Sequence, residues 1–207
     1  IGVDTAHLMT HKIAMRRRFG EVGVPQPRFA AARTLHETRR AAATVGYPAV
    51  LKPADSGGQR GVFRIESIDD IDAHFHEALN ASPSGETVLE EYVEGIEMNG
   101  IVIARDGDMI ALTLSDRLRP PGVGFGVGWI HVYPASVYGD QLAESERIAQ
   151  HSAHALGHAG LDQTGGNRVA GDPVPTAGHG EAFHHLLHAG LAGGVGVGLV
   201  LRNVKAV

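Results

Sequence analysis

Apolar and polar positions form distinct blocks along the first two thirds of the chain, and each block carries its own boundary signals. Residues 7 to 21 set Leu8, Ile13, Met15 and Phe19 among Lys12, Arg16, Arg17 and Arg18, which predicts one basic amphipathic helix. Gly23 ends it. Pro25 and Pro27 forbid its continuation, since proline lacks the N–H and crowds the preceding turn. Phe29 to Ala32 reads as a short strand, and Thr34 with Glu37 three residues on predicts a capped helix to about Val45. Gly46-Tyr47-Pro48 turns the chain into a compact apolar strand, Ala49 to Lys52. A loop from Asp55 to Gly61 then leads into a return strand, Val62 to Ile65, making a hairpin with a glycine-rich tip. Ser67 caps a further helix through Leu79, with Asp69 and Asp70 in the first turn, where the helix dipole favours negative charge.

Thr87 to Glu90 is the next predicted strand, followed by a connector from Glu91 to Gly95. Strands at Met98 to Ala104 and Met109 to Leu114 flank Arg105-Asp106-Gly107-Asp108, whose Asp-Gly step signals a turn. A stripe at Leu142, Ala149, Ala153 and Leu156 predicts a helix over 141–156. Helix, strand, helix, hairpin, helix and meander in that order specify an α+β protein, not a doubly wound parallel sheet. After Gly165 glycine, alanine, histidine and valine dominate and the periodicity fades, so no element is predicted beyond about residue 172.

Composition narrows the function. With 207 residues the chain can bury a real core, as one large domain or two small lobes. Its 18 basic and 23 acidic residues give a net charge of -5, which argues against a nucleic-acid binder that relies on phosphate neutralisation. There is no cysteine, so disulfides and thiolate metal sites are excluded and nothing opposes a reducing compartment. No apolar run approaches the roughly 20 residues that cross a bilayer, and no charged-then-apolar leader opens the chain. The expected location is cytoplasmic, with no membrane partner.

A nucleoside triphosphate requires cations and accessible backbone N–H groups for its phosphates and a slot with hydrogen-bonding edges for its base. Lys52 closes the Val-Leu-Lys-Pro strand, which would hold its ammonium at a sheet edge. The loop Ser56-Gly57-Gly58-Gln59-Arg60-Gly61 lets backbone amides approach an anion, because glycine has no Cβ in the way. The segment alone fits an ordinary surface turn equally well.

The order of "HKIAMRRRFGEVGVPQP", "GYPAVLKPADSGGQRGV" and "VLEEYVEGIE" decides between the two readings. Over roughly residues 8 to 165 the chain resembles the ATP-grasp superfamily, in its carboxylate-amine ligase branch. The resemblance implies two α+β lobes gripping ATP, with the usual N-terminal α/β lobe absent and the C-terminal part degenerate. The core would cover residues 1–172, with a small lobe at about 25–92 and a divergent tail at 173–207. It further implies that Lys12 and Lys52 contact the phosphates and that Ser56, Gly57, Gly58 and Gly61 close over them. Glu90 would face the adenine amino group, the backbone around Glu91, Tyr92 and Val93 would line the base edge, and Glu97 would accept the ribose hydroxyls. For Glu94 and Glu97 a solvated acidic turn is the alternative. "GVGFGVGWIHVYPAS" resembles the acyl-acceptor side of the amino-acid ligases, which makes Arg117 and His131 candidate substrate contacts; a polar strand face in water accounts for them as well.

The implied activity is the activation of a small carboxylate as an acyl phosphate and its capture by an amine, with ATP as cosubstrate. Magnesium is expected from the family, but its ligands are not found. Asn167 stands where the first carboxylate belongs, the stretch Thr176 to His179 holds no acid, and Asp172 and Glu181 lack the expected spacing. The alternative is therefore a nucleotide-binding relic, dead or truncated, without the magnesium carboxylates. His151, His154 and His158 share a helical face predicted to point to solvent, which makes zinc binding there adventitious. The chain lacks the P-loop, Gly-x-Gly-x-x-Gly and Gly-x-Ser-x-Gly arrangements of other nucleotide-binding proteins and hydrolases.

Overall fold

The computed structural model describes residues 2–105, 108–119, 130–157, 185–189 and 196–201. The predicted first helix is two. Helix α1 (Val3–Thr10) stops at His11, whose extended backbone starts α2 (Lys12–Val22) and whose Nδ1 accepts the Ala14 N–H at 3.4 Å. Gly23 closes α2 in the left-handed region at φ 73°, the conformation that glycine adopts without a Cβ penalty.

Strand β1 (Phe29–Ala32) leads to α3 (Leu35–Val45), where Thr34 and Glu37 form the expected reciprocal cap. Next come β2 (Ala49–Pro53), β3 (Phe63–Ile65) and α4 (Ile68–Asn80), the last with Asp70 accepting the Ser67 N–H at 2.9 Å. With β4 (Thr87–Glu91) these strands build an antiparallel sheet in the order β1-β4-β2-β3. Leu51 and Leu89 point to one face and pack with Ile65, Ile71, Phe75, Ala41 and Val45 under α3 and α4. Strand alternation sends Lys52, Val88 and Glu90 to the opposite face.

The second sheet is also antiparallel, ordered β7-β6-β5-β9-β8: β5 (Ile96–Arg105), β6 (Asp108–Leu118), β7 (Ile130–Val132), β8 (His185–Ala189) and β9 (Gly196–Leu201). The purely antiparallel pairing bears out the α+β expectation. Both strands of the β5–β6 hairpin run longer than the apolar runs suggested. Strands β8 and β9 lie in the tail for which no elements were predicted, and β9 pairs along β5 from Ile96↔Leu201 to Ile101↔Gly196. The glycines in "GVGLVL" interrupt the apolar alternation by which a strand is recognised.

Helix α5 (Asp140–Gly157) packs its Ile148, Ala149 and Leu156 with Met98 and Leu114 of the second sheet and with Met15 and Phe19 of α2. Ile13, nearer the start of α2, packs with Val88 of the first sheet and with Ala54 just beyond β2. Helix α2 therefore touches both sheets, and that placement organises the site.

Candidate functional site

Lys52 and Glu90 meet because of strand register. Lys52 pairs with Val88 and Val50 with Glu90, which makes Lys52 and Glu90 diagonal neighbours on one face, within reach of long side chains. Lys52 Nζ lies 2.7 Å from Glu90 Oε2. Lys52 sits on an interior strand, not at the sheet edge expected from the sequence, since β3 and β4 flank β2.

The third member comes from α2. Arg16 belongs by its pattern to a solvated basic face, yet it is 1% exposed. Its Nε and Nη2 each donate to a Glu90 carboxylate oxygen at 3.0 Å, a two-pronged pairing that fixes the carboxylate plane. Gln26 Nε2 donates to the Arg16 carbonyl at 2.9 Å and so ties the proline-bearing segment after α2 to this point. The sequence signal for burial was the position of Arg16 beside Met15 and three residues before Phe19, on the side that the core covers.

Lys12 opens α2. Its backbone N–H donates to the Ala54 carbonyl and its Nζ to the Ser56 carbonyl, both at 2.7 Å, so the helix start and the loop after β2 are stitched together twice. Burial pushes the Lys12 ammonium below its ordinary pKa, opposed by Glu90 and Asp55. Burial likewise lowers Lys52 to about 8, opposed by Glu90 and assisted by the positive charges of Arg16 and Lys12. The two lysines are thus close enough to influence one another. Against the desolvation that burial imposes, hydrogen bonds from Ser82 and Ser84 hold the Asp55 carboxyl below its usual value, with His11 adding to the effect. His11 also lies 3.3 Å from Glu86.

The loop from Ser56 to Gly61 combines an open tip with an anchored end. Gly58 has φ 72° and open space around it, and Gln59 adopts φ 61°, a rare region for a residue with a Cβ. Gly61 differs. At φ 68° a Cβ there would come within 2.9 Å of the Ala81 Cβ and 3.1 Å of the Ala78 Cα, so its glycine identity serves the packing of the loop on α4.

The remaining candidates lie elsewhere. Glu91 accepts from Arg28 Nε at 3.1 Å and its N–H is bonded to the Arg28 carbonyl, while the Tyr92 ring lies 4.3 Å beneath the Arg64 guanidinium. Val93 is buried. On the second sheet Glu97 pairs with Arg117 and, at 2.9 Å, with Arg119, and His131 stands across from Arg117 on β7. This cluster belongs to the second sheet, whereas Lys52 and Glu90 belong to the first.

Asp116, which the sequence did not single out, is buried and accepts the Ser136 N–H at 3.0 and 3.1 Å, pinning the segment after β7. His151 is half-buried instead of solvent-facing and hydrogen-bonds the Val22 backbone; burial, then Arg147 and His154, lower its pKa. His158, Asn167, Asp172, Thr176, His179 and Glu181 lie outside the described residues, as does the glycine-rich stretch 122–128. Among the described residues no three His, Asp or Glu side chains cluster as metal ligands, and no helix is long and apolar enough to cross a membrane.

Two antiparallel sheets bridged by a helix, with buried cations and a glycine loop at the bridge, define the architecture, and comparison with known proteins names the family. The ATP-grasp domain model matches residues 17–162, and the chain belongs to the ATP-grasp family. The carbamoyl phosphate synthase large chain of Xanthomonas campestris is 33% identical over 169 residues, covering 79% of this chain and 15% of that protein. Its counterpart in Mycobacterium sp. is 25% identical over 151 residues, 70% of this chain and 14% of that one. The chain thus spans only about a seventh of these relatives. Among solved structures, biotin carboxylase from Campylobacter jejuni superposes with a TM-score of 0.66 at 22% identity, over 75% of this chain and 36% of that one. D-Ala:D-Ser ligase from Enterococcus faecalis gives 0.64 at 18% identity, over 74% and 47%. At such identities these two structures establish the shared fold.

Proposed function

We propose that this chain binds ATP and forms the nucleotide-holding core of a carboxylate-amine ligase. The observation that carries the reading is the meeting of Lys12, Lys52 and Glu90 from three distant stretches beside the Ser56 loop. Two solved relatives by fold were determined with ADP or ATP bound, which supports the choice of nucleotide.

In this reading Lys12 and Lys52 hold the triphosphate electrostatically while Ser56, Gly57 and Gly58 close over it with backbone amides. The Gly61 anchor fixes the base of that loop. Glu90 and the backbone from Glu91 to Val93 receive adenine, and Glu97 receives the ribose. A substrate carboxylate oxygen attacks the γ-phosphorus, the bond to the β,γ-bridging oxygen breaks, and ADP leaves. The amine nitrogen then attacks the acyl carbon, phosphate departs with the carbon–oxygen electron pair, and the amine proton passes to solvent. Arg117 and His131 lie on the strand face proposed to meet the acid and amine. Magnesium is the family's usual partner for such phosphates, but the described residues offer no ligand set that fits it, so no step here depends on it.

Adding ATP with magnesium should raise the melting temperature, and amine-dependent phosphate release should appear with a suitable acid. A melting temperature indifferent to ATP would remove the reading. A shift without phosphate release under a broad panel of acids and amines would leave nucleotide binding alone, the outcome that Asn167 in the expected carboxylate position favours.

A further inference from the structure

A loop that offers backbone amides to an anion gains most from them when its ends are fixed before the anion arrives, because ordering it afterwards costs binding energy. Both ends of residues 56–60 are set against one place, the C-terminal end of α4 and the turn that follows it. At the far end Gly61 lies against Ala78 and Ala81. At the near end Asp55 binds the turn with both carboxylate oxygens: Oδ1 accepts the Ser82 hydroxyl at 2.6 Å and Oδ2 the Ser84 N–H at 2.9 Å. Ser82 is buried, and its Oγ also accepts the Glu86 N–H at 3.3 Å, so the turn is itself tied to the entrance of β4. Between these anchors Gly57 to Arg60 are exposed.

We propose that Asp55 is a positioning residue: by gripping the Ser82–Ser84 turn it fixes the start of the loop and, through the adjoining Ser56 carbonyl, the place where Lys12 presents its ammonium to a phosphate. The inference rests on the nucleotide reading above and deepens it by assigning the loop a residue that sets its geometry without touching the nucleotide. Two contacts pass the constraint from Asp55 to α2. Lys12 Nζ donates to the Ser56 carbonyl and the Lys12 N–H to the Ala54 carbonyl, both at 2.7 Å, so the residues on either side of Asp55 engage both the side chain and the backbone of Lys12. The Ala54 N–H in turn donates to the Glu86 carbonyl at 3.0 Å, just past the same turn. Aspartate suits the position because its short side chain offers two acceptor oxygens close to the backbone, enough for a hydroxyl and an N–H at once. Its charge is not what the role requires: Glu90 and Asp55 both face Lys12, and a carboxylate charge near a phosphate opposes the anion.

Three substitutions separate hydrogen bonding from charge and from general scaffolding. Asp55→Ala removes both acceptors, Asp55→Asn keeps the shape and an acceptor for the Ser84 N–H while removing the charge, and Ser82→Ala removes the partner of Oδ1 alone. The full chain and each variant are titrated calorimetrically at neutral pH with magnesium-ATP and, separately, with adenosine. Asp55→Ala should weaken ATP binding roughly tenfold, as the loss of a charge-assisted hydrogen bond implies, with adenosine binding unchanged. Asp55→Asn should bind ATP within about threefold of the parent, and Ser82→Ala should fall between the two, which preserves the test should Asp55→Ala fold poorly. Because Asp55 acts through Lys12, Asp55→Ala should cost only about threefold in a Lys12→Met background. Equal losses for ATP and adenosine, an Asp55→Asn variant as weak as Asp55→Ala, or losses that multiply in full in the double variant would overturn the inference. A parent chain that takes up no ATP sinks the nucleotide reading, and this inference with it; a binding parent with Asp55→Ala and Ser82→Ala at parental affinity sinks the inference alone.

Discussion

Two carboxylates on successive strands, Glu90 and Glu97, each stand between two cations, but in different surroundings. The side chains of Glu90, Arg16 and Lys52 are 3%, 1% and 3% exposed, whereas those of Glu97, Arg117 and Arg119 are 15%, 16% and 32% exposed. The same inventory of charges therefore has different consequences. In the first set water cannot replace a lost partner, so each charge is tied to the others; in the second, solvent screens the attraction and supplies alternatives. A cluster of the first kind depends on its internal pairing. One of the second kind mainly orients its side chains.

The largest effect should come from Glu90→Gln, which removes the carboxylate charge that both Arg16 and Lys52 contact. Loss of one partner from a buried set costs about 3–5 kcal/mol, and urea denaturation measures it. A variant close to parental stability would show that water reaches the triad and that the contrast is false.

The pH dependence of stability probes the same set. Lys52 has a folded-state pKa of about 8, below its ordinary value of 10.5, so between these values the unfolded chain binds the extra proton. The contribution is fully present above 10.5 and is lost as pH falls through 8. Lys12 shifts in the same direction. Stability measured by denaturation should accordingly rise from pH 8 towards 10, and the rise should shrink in Lys52→Met.

The loop offers an internal pair of smaller changes. Gly61→Ala would force a Cβ against Ala78 and Ala81 in a left-handed backbone and should cost roughly 1–3 kcal/mol. Gly58→Ala meets open space and should cost about 1 kcal/mol, from backbone strain alone. Equal losses in thermal unfolding would refute the assignment of Gly61 to packing. Smallest of all, Glu97→Gln should change stability by about 1 kcal/mol or less, because its partners remain in contact with water.

Much of this arrangement could be read from residue order. Thr34 with Glu37, Ser67 with Asp70 and Gly23 after α2 mark helix ends by local chemistry, which acts over a few residues and survives in any context. Lys12, Lys52 and Glu90 could be grouped because the family resemblance supplied a long-range link that periodicity does not. Arg16 escaped notice for the opposite reason: as the first of three successive arginines it reads as solvated, and its spacing from Phe19 gains meaning only once α2 packs against both sheets. The break at His11 depends on Lys12 N–H bonding Ala54, a tertiary contact with no local signature. Strands β8 and β9 were missed because a glycine-interrupted segment acquires strand geometry through pairing with β5 and not from its own propensity.

The claim beneath all of this is that Lys12 and Lys52 act on one triphosphate. Calorimetric titration of Lys12→Met and Lys52→Met with ATP and, separately, with adenosine tests it most directly. Losing a charge-assisted hydrogen bond of about 1.5 kcal/mol or more predicts that each variant binds ATP at least roughly tenfold more weakly, with adenosine binding little changed. Unaltered ATP affinity in either variant, or an equal loss for adenosine, would contradict the account.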